Sequence, residues 1–228
     1  MVNKSFKYWT PTELKNVFGL VRKDGVCEEL DRWINDGKNL QQTTQLTDFE
    51  QQLLELIRTD LSKNGYEWNE EELKMYFISP LLRIVNFDSK YYKLFFERKL
   101  TATLNDIKLN GTVDAMIASG DFDQPQKPYF CLHEYKAEKS GKDTDARGQL
   151  LSEMLAAQTI NNDGKTIYGC YQLGRLWFFA TLVGKEFCFS DGFIIDQKDF
   201  LLRIIFILRQ LKTYIEERIL AEKTTNLV

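Results

Sequence analysis

The chain has 228 residues, 43% hydrophobic and 28% charged, with a formal net charge of −3. No apolar run approaches the roughly 20 residues that cross a bilayer, and the chain lacks the basic surplus common among nucleic-acid binders. The opening stretch, MVNKSFKYWTPTEL, has no continuous apolar core of the kind that marks a signal peptide, so a cytoplasmic location is expected.

Thr10-Pro11-Thr12-Glu13 is a helix start, with Pro at the first helical position and Glu placed for a capping box; the helix should run to about Phe18. Cys27 to Asn35 is a second helical pattern, closed by Asp36-Gly37. Thr47-x-x-Glu50 opens a longer helix with a stripe of Phe49, Leu53, Leu54, Ile57 and Leu61, stopped by Asn64-Gly65. Asn69 to Glu72 starts the next helix. There Met75, Ile78, Leu81, Leu82 and Val85 recur at helical spacing, and Pro80 predicts a kink or break.

The period then changes. Tyr91 to Leu104 is rich in Tyr, Phe and Thr and reads as a strand. Asn110-Gly111 is a hairpin signal, making Thr112 to Ala118 the partner strand. A polar loop over 119–128 leads to a strand from Tyr129 to Ala137, and a second polar loop covers 139–147. Gln149 to Thr159 is a helix. Thr166 to Cys170, Arg175 to Val183 and Glu186 to Phe189 are strands, and a helix from Asp199 to about Glu222 closes the order. A strand–helix–strand succession argues for an α/β fold with a mixed, partly parallel sheet. Residues 1–65 read as an N-terminal helical extension and 66–228 as the α/β unit, together forming one compact body.

The four cysteines, Cys27, Cys131, Cys170 and Cys188, are scattered without a C-x-x-C pair, and His133 is the only histidine. Zinc ligands are therefore not clustered along the chain, and free thiols acting as small apolar groups are expected. Chemistry concentrates elsewhere. Glu134 and Lys136 lie two residues apart, so a strand puts them on one face, with Phe130 and Leu132 before them and His133 opposite. His133 is accordingly read as structural. If the Asp114 strand is a neighbour, two carboxylates and an ammonium converge. Paired carboxylates repel unless a cation lies between them, and a hard divalent ion such as Mg²⁺ or Mn²⁺ prefers such oxygens.

This arrangement resembles the PD-(D/E)xK nuclease superfamily, whose motif is an Asp on one core strand and Glu/Asp-x-Lys on the next. Here it reads G-T-V-D (111–114) and E-Y-K (134–136), with Val113 where the superfamily often has Pro. N-E-E-E-L-K-M-Y-F-I-S-P-L-L (69–82) is similar to the helix preceding the sheet. A-R-G-Q-L-L-S-E-M-L-A-A-Q (146–158) is similar to the helix after the Lys strand, and 166–179 to the hairpin that follows. The nearest likeness is to the N-terminal nuclease domains of type I restriction subunits, over roughly residues 69–183.

The resemblance implies a restriction-endonuclease-like mixed β-sheet core flanked by helices, and Mg²⁺-dependent (or Mn²⁺-dependent) hydrolysis of DNA phosphodiesters in host defence or repair. It implies that Asp114 and Glu134 ligate the metal, with the Tyr135 carbonyl joining them. Lys136 would orient or activate the attacking water. Gln149 would approach the site from the next helix, with Glu153 one turn on as its substitute. Glu71, in phase with Met75, Ile78 and Leu82, is the candidate from the preceding helix. The partner implied is nucleic acid, DNA in the first place, without a membrane, and with a homodimer or a partner subunit as the assembly. The alternative is a non-catalytic nucleic-acid- or protein-binding module on the same fold.

Overall fold

The computed structural model describes residues 2–138 and 145–225. In chain order the elements are β1 (Val2–Ser5), a 3₁₀ turn (Phe6–Tyr8), α1 (Pro11–Phe18), β2 (Val21–Arg22), α2 (Glu28–Thr43) and α3 (Asp48–Asn64). Then come α4 (Glu70–Leu73), a π-helical turn (Lys74–Ile78), α5 (Ser79–Val85), β3 (Lys93–Leu104), β4 (Ile107–Asp121) and β5 (Gln124–Lys136). The last are α6 (Ala146–Asn161), β6 (Ile167–Leu173), β7 (Leu176–Val183), β8 (Glu186–Phe189), β9 (Phe193–Ile194) and α7 (Lys198–Thr225). No described helix is long and apolar enough to cross a membrane.

The strands form one mixed nine-stranded sheet, ordered β1-β4-β5-β6-β7-β8-β2, with β3 on β4 and β9 on β7. β5 and β6 are parallel, joined through α6 as the strand–helix–strand pattern requires. Two cores flank the sheet. On one face Trp9, Leu14 and Phe18 pack with Leu150, Leu151, Met154 and Leu155 of α6. On the other, residues of α2, α3, α5 and α7 pack against Ile117, Tyr135, Cys170 and Phe179.

The capping boxes at Thr10/Glu13, Thr47/Glu50 and Asn69/Glu72 all form, each satisfying two otherwise unpaired helix-start N–H groups. Other expectations need correction. Gly37 does not end α2. It lies within the helix where α2 crosses α7, and a Cβ there would stand 2.5 Å from Ile207 Cα. The hairpin turn is at Asn105-Asp106, both with positive φ (50° and 59°), rather than at Asn110-Gly111. Asn-Asp supplies the same left-handed geometry as Asn-Gly. Gly111 is needed in mid-strand because Phe6 lies over it: a Cβ would be 2.6 Å from the Phe6 ring. Residues 119–128 are largely strand, turning at Phe122-Asp123. Phe49 and Met75 are exposed rather than core. Pro80 does not break its helix. The chain widens into a π turn just before it, which accommodates the missing N–H and the ring.

The helical extension of 1–65 also supplies two strands: β1 pairs with β4 and β2 with β8. It is tied further by a disulfide between Cys27, at the start of α2, and Cys188 in β8. Those two cysteines are therefore not free thiols, whereas Cys131 and Cys170 are free and buried.

Candidate active site

The site begins with a defect in strand pairing. β3 occupies one edge of β4 from Ile107 to Ala118, so β1 and β5 share the other edge. β1 pairs up to Asn110 and β5 pairs from Ala115, leaving residues 111–114 in the gap. Asp114 fills it. Its Oδ2 accepts the Tyr135 N–H at 2.8 Å, the donor that the diverging β5 would otherwise leave unpaired. Opposite Asp114, Glu97 of β3 has φ 51°, a left-handed conformation in mid-strand. Leu109 and Val113 share a core with Met116 and Ala118, an odd step away, so β4 changes faces at this point.

Glu134 is fully buried and shares its strand face with Leu132, on the side of α6. Phe130, expected on that face, packs instead with the α7 side, because the β4–β5 register shifts between Ile117 and Ala118. Lys136 Nζ stands 2.6 Å from Glu134 Oε1 and 3.5 Å from Glu70 Oε2. Gln149, in the first turns of α6, donates from Nε2 to Glu134 Oε2 at 2.7 Å and to Glu153 Oε1 at 3.3 Å.

The helix before the sheet contributes differently from expectation. Glu71 is exposed, while Glu70 is half-buried and bonds to Lys136 at the site. The buried phase of this helix is Leu73, Phe77, Ile78 and Leu81 rather than one passing through Met75. Anchoring the stripe on Leu73 and Phe77 would have selected Glu70. Lys74, one turn after Glu70, was also missed. Its ammonium lies 2.8 Å from Asp114 Oδ1, 2.8 Å from Glu97 Oε1 and 3.5 Å from Glu70 Oε1.

The electrostatics follow from crowding. Burial, then the Asp114 charge, push the Glu134 carboxyl up to about 8, against the pull of Lys136. Burial, then Glu134 and Asp114, hold the Glu153 carboxyl well above its ordinary value. Burial alone would lower both lysines. The hydrogen bond and charge of Asp114 outweigh it at Lys74, and those of Glu134 outweigh it at Lys136, so both ammonium groups are held above the usual lysine range.

Five carboxylates (Glu70, Glu97, Asp114, Glu134 and Glu153) thus surround two ammonium groups. Gln149 Oε1 and Glu153 Oε2 are buried acceptors without a hydrogen-bond donor. An excess of carboxylates with orphaned acceptor oxygens is the donor set a hard divalent cation takes. The residues that could hold one are Asp114 and Glu134, beside the Tyr135 backbone whose N–H bonds to Asp114. The loop cations Lys139 and Lys142 lie outside the described residues. No protein-family model matches the chain, and no curated protein matches it in sequence.

Proposed function

We propose that the protein is a metal-dependent nuclease of the restriction-endonuclease-like type, hydrolysing DNA phosphodiester bonds in host defence or repair. The observation that carries this reading is the meeting of Asp114, Glu134 and Lys136 where β4 and β5 diverge, with Gln149 behind them. When bound, Mg²⁺ or Mn²⁺ would supply positive charge against the negative charge that develops on the phosphate. Asp114 Oδ1 and a Glu134 oxygen would hold that ion, and the Gln149 amide would fix the Glu134 carboxylate. Lys136 is held protonated by its bond to Glu134. It can orient an attacking water by hydrogen bonding and offset charge, but it cannot take the water's proton as a base. Location in the cytoplasm belongs to the same reading.

The test is cleavage of plasmid and linear DNA by purified protein with Mg²⁺ or Mn²⁺. Activity that needs the ion and is lost in both Lys136→Ala and Asp114→Asn supports the proposal. Cutting that survives both changes overturns the residue roles. One observation favours the second reading, a non-catalytic nucleic-acid- or protein-binding module. Lys74 already neutralises Asp114, as a built-in counterion would in a site that has no use for metal. Titration calorimetry with Mn²⁺ separates the two, since a binding module of that kind gives no saturable heat dependent on Asp114 and Glu134.

A further inference from the structure

His133 and Glu134 are adjacent, so they project to opposite faces of β5. Behind the acidic site, on the α7 side of the sheet, His133 meets two thiols. β5 and β6 pair in parallel with His133 opposite Cys170, and Cys131 lies two residues before His133 on the same face. One ligand atom from each of Cys131, His133 and Cys170 lies within 4.8 Å of the others, and all three residues are fully buried. Among the described residues this is the grouping of three or more His, Cys, Asp and Glu side chains close enough to share an ion. It is invisible along the chain, because Cys170 reaches the other two only through strand pairing.

Two further observations point to a ligand rather than to thiols serving as small apolar filler. His133 Nδ1 is 2.7 Å from the Tyr135 hydroxyl, whereas His133 Nε2 is buried without any partner. With Nδ1–H donating to Tyr135 Oη, Nε2 presents a free lone pair into a dry core, where an unmet polar atom is costly. A metal-bound imidazole is oriented in this way, by a hydrogen bond on its other nitrogen. Ligands of a tetrahedral zinc ion stand about 3.5–3.8 Å apart, so the present spacing needs only a small contraction.

We propose that Cys131, His133 and Cys170 form a binding site for a thiophilic cation, Zn²⁺ in the first place, clamping β5 to β6 directly behind the acidic site. Charge selects the ion. Two thiolates and a neutral imidazole carry −2, so Zn²⁺ makes the assembly neutral, which a low-dielectric core requires. Three protein ligands leave a fourth position for a small molecule such as water. Binding releases two thiol protons.

The test uses Co²⁺ as a spectroscopic probe on the full chain, prepared free of metal and handled without oxygen. One equivalent should produce the sulfur-to-cobalt charge-transfer band and the intense d–d absorption of a tetrahedral thiolate site. One equivalent of Zn²⁺ should abolish both. The Cys27→Ser/Cys188→Ser variant has only Cys131 and Cys170 as thiols, so the band must persist there. It should also persist in Asp114→Asn, which alters only the carboxylate site, and vanish in Cys131→Ser and Cys170→Ser. Absence of the band from the wild-type protein, or its loss in Cys27→Ser/Cys188→Ser shown by circular dichroism to be folded, overturns the proposal even if the single thiol variants fail to fold. A nuclease assay that fails leaves this result untouched.

Discussion

Lys74 Nζ lies 2.8 Å from Asp114 Oδ1, so the carboxylate oxygen best placed for a cation already faces an ammonium group. Both side chains are largely shielded from water. Removing Lys74 alone leaves Asp114, Glu97 and Glu70 without their shared counterion. We expect Lys74→Met to destabilise the metal-free protein by about 3 kcal/mol, the usual cost of breaking a buried pair. Mn²⁺ should restore part of that loss and bind the variant more tightly than wild type. Urea denaturation with and without Mn²⁺, together with calorimetry, measures both effects.

Lys136→Ala should lower DNA cleavage by about 10² or more, the loss typical of removing one preorganised hydrogen-bond donor that offsets developing charge. Gln149→Leu removes the donor that links Glu134 to Glu153 and should cut cleavage less. Glu70→Ala should weaken activity, while Glu71→Ala should not, since only Glu70 reaches Lys136 and Lys74. Initial rates of plasmid nicking for the four variants would decide this, and equal effects for Glu70→Ala and Glu71→Ala would contradict the geometry.

The raised Glu134 carboxyl makes stability depend on pH in a definite direction. Its ordinary value is 4.5 and its folded value is about 8, so between those limits the folded chain holds more protons than the unfolded chain. Stability of the metal-free protein should therefore fall as pH rises from about 5 to about 8, by at most about 1.4 kcal/mol per pH unit from this group. Glu153, shifted in the same direction, adds to the slope. Glu134→Gln should flatten the curve of melting temperature against pH, and a slope unchanged in that variant would refute the assignment.

Gly37→Ala places a methyl group against the Ile207 backbone, which cannot move aside as a flexible side-chain tip could. We expect a loss of about 1–3 kcal/mol despite the better helix propensity of alanine. Trp33 Nε1 donates to the Ile207 carbonyl at 2.7 Å in the same crossing. Chemical denaturation should show Gly37→Ala and Trp33→Phe each less stable than wild type.

Cys27 and Cys188 close a covalent loop through most of the chain. Cys27→Ser, or reduction, should cost about 2–5 kcal/mol. Non-reducing peptide mapping tests the link itself, and recovery of both cysteines as free thiols from native protein would count against it.

Local chemistry was readable from the sequence wherever a few neighbouring residues decide it. Thr10/Glu13, Thr47/Glu50 and Asn69/Glu72 specify their helix starts, and Glu134-x-Lys136 specifies a shared strand face. What escaped depended on distant partners. Gly37 reads as a stop until Ile207 is seen above it, and Asn110-Gly111 reads as a turn until Phe6 is. Glu71 is in phase with Met75, but Met75 is exposed, and the buried phase through Leu73 and Phe77 selects Glu70 instead. Lys74 and Glu97 have no motif; they are brought to Asp114 by the π turn and by the left-handed residue in β3. The Cys131–His133–Cys170 grouping follows from the pairing of β5 with β6, which no spacing rule along one strand reveals.

Residues 2–22 run from β1, beside β4, to β2, beside β8 at the far edge of the sheet, and pass over α6 on the way. A Cβ on Gly148 would stand 2.0 Å from the Trp9 carbonyl, so this strap bears directly on the helix that carries Gln149. Val21 pairs with Glu186, well over half the chain away. The β2 end of this strap therefore cannot dock until β8 has formed, and that long loop closure makes this a slowly folding topology.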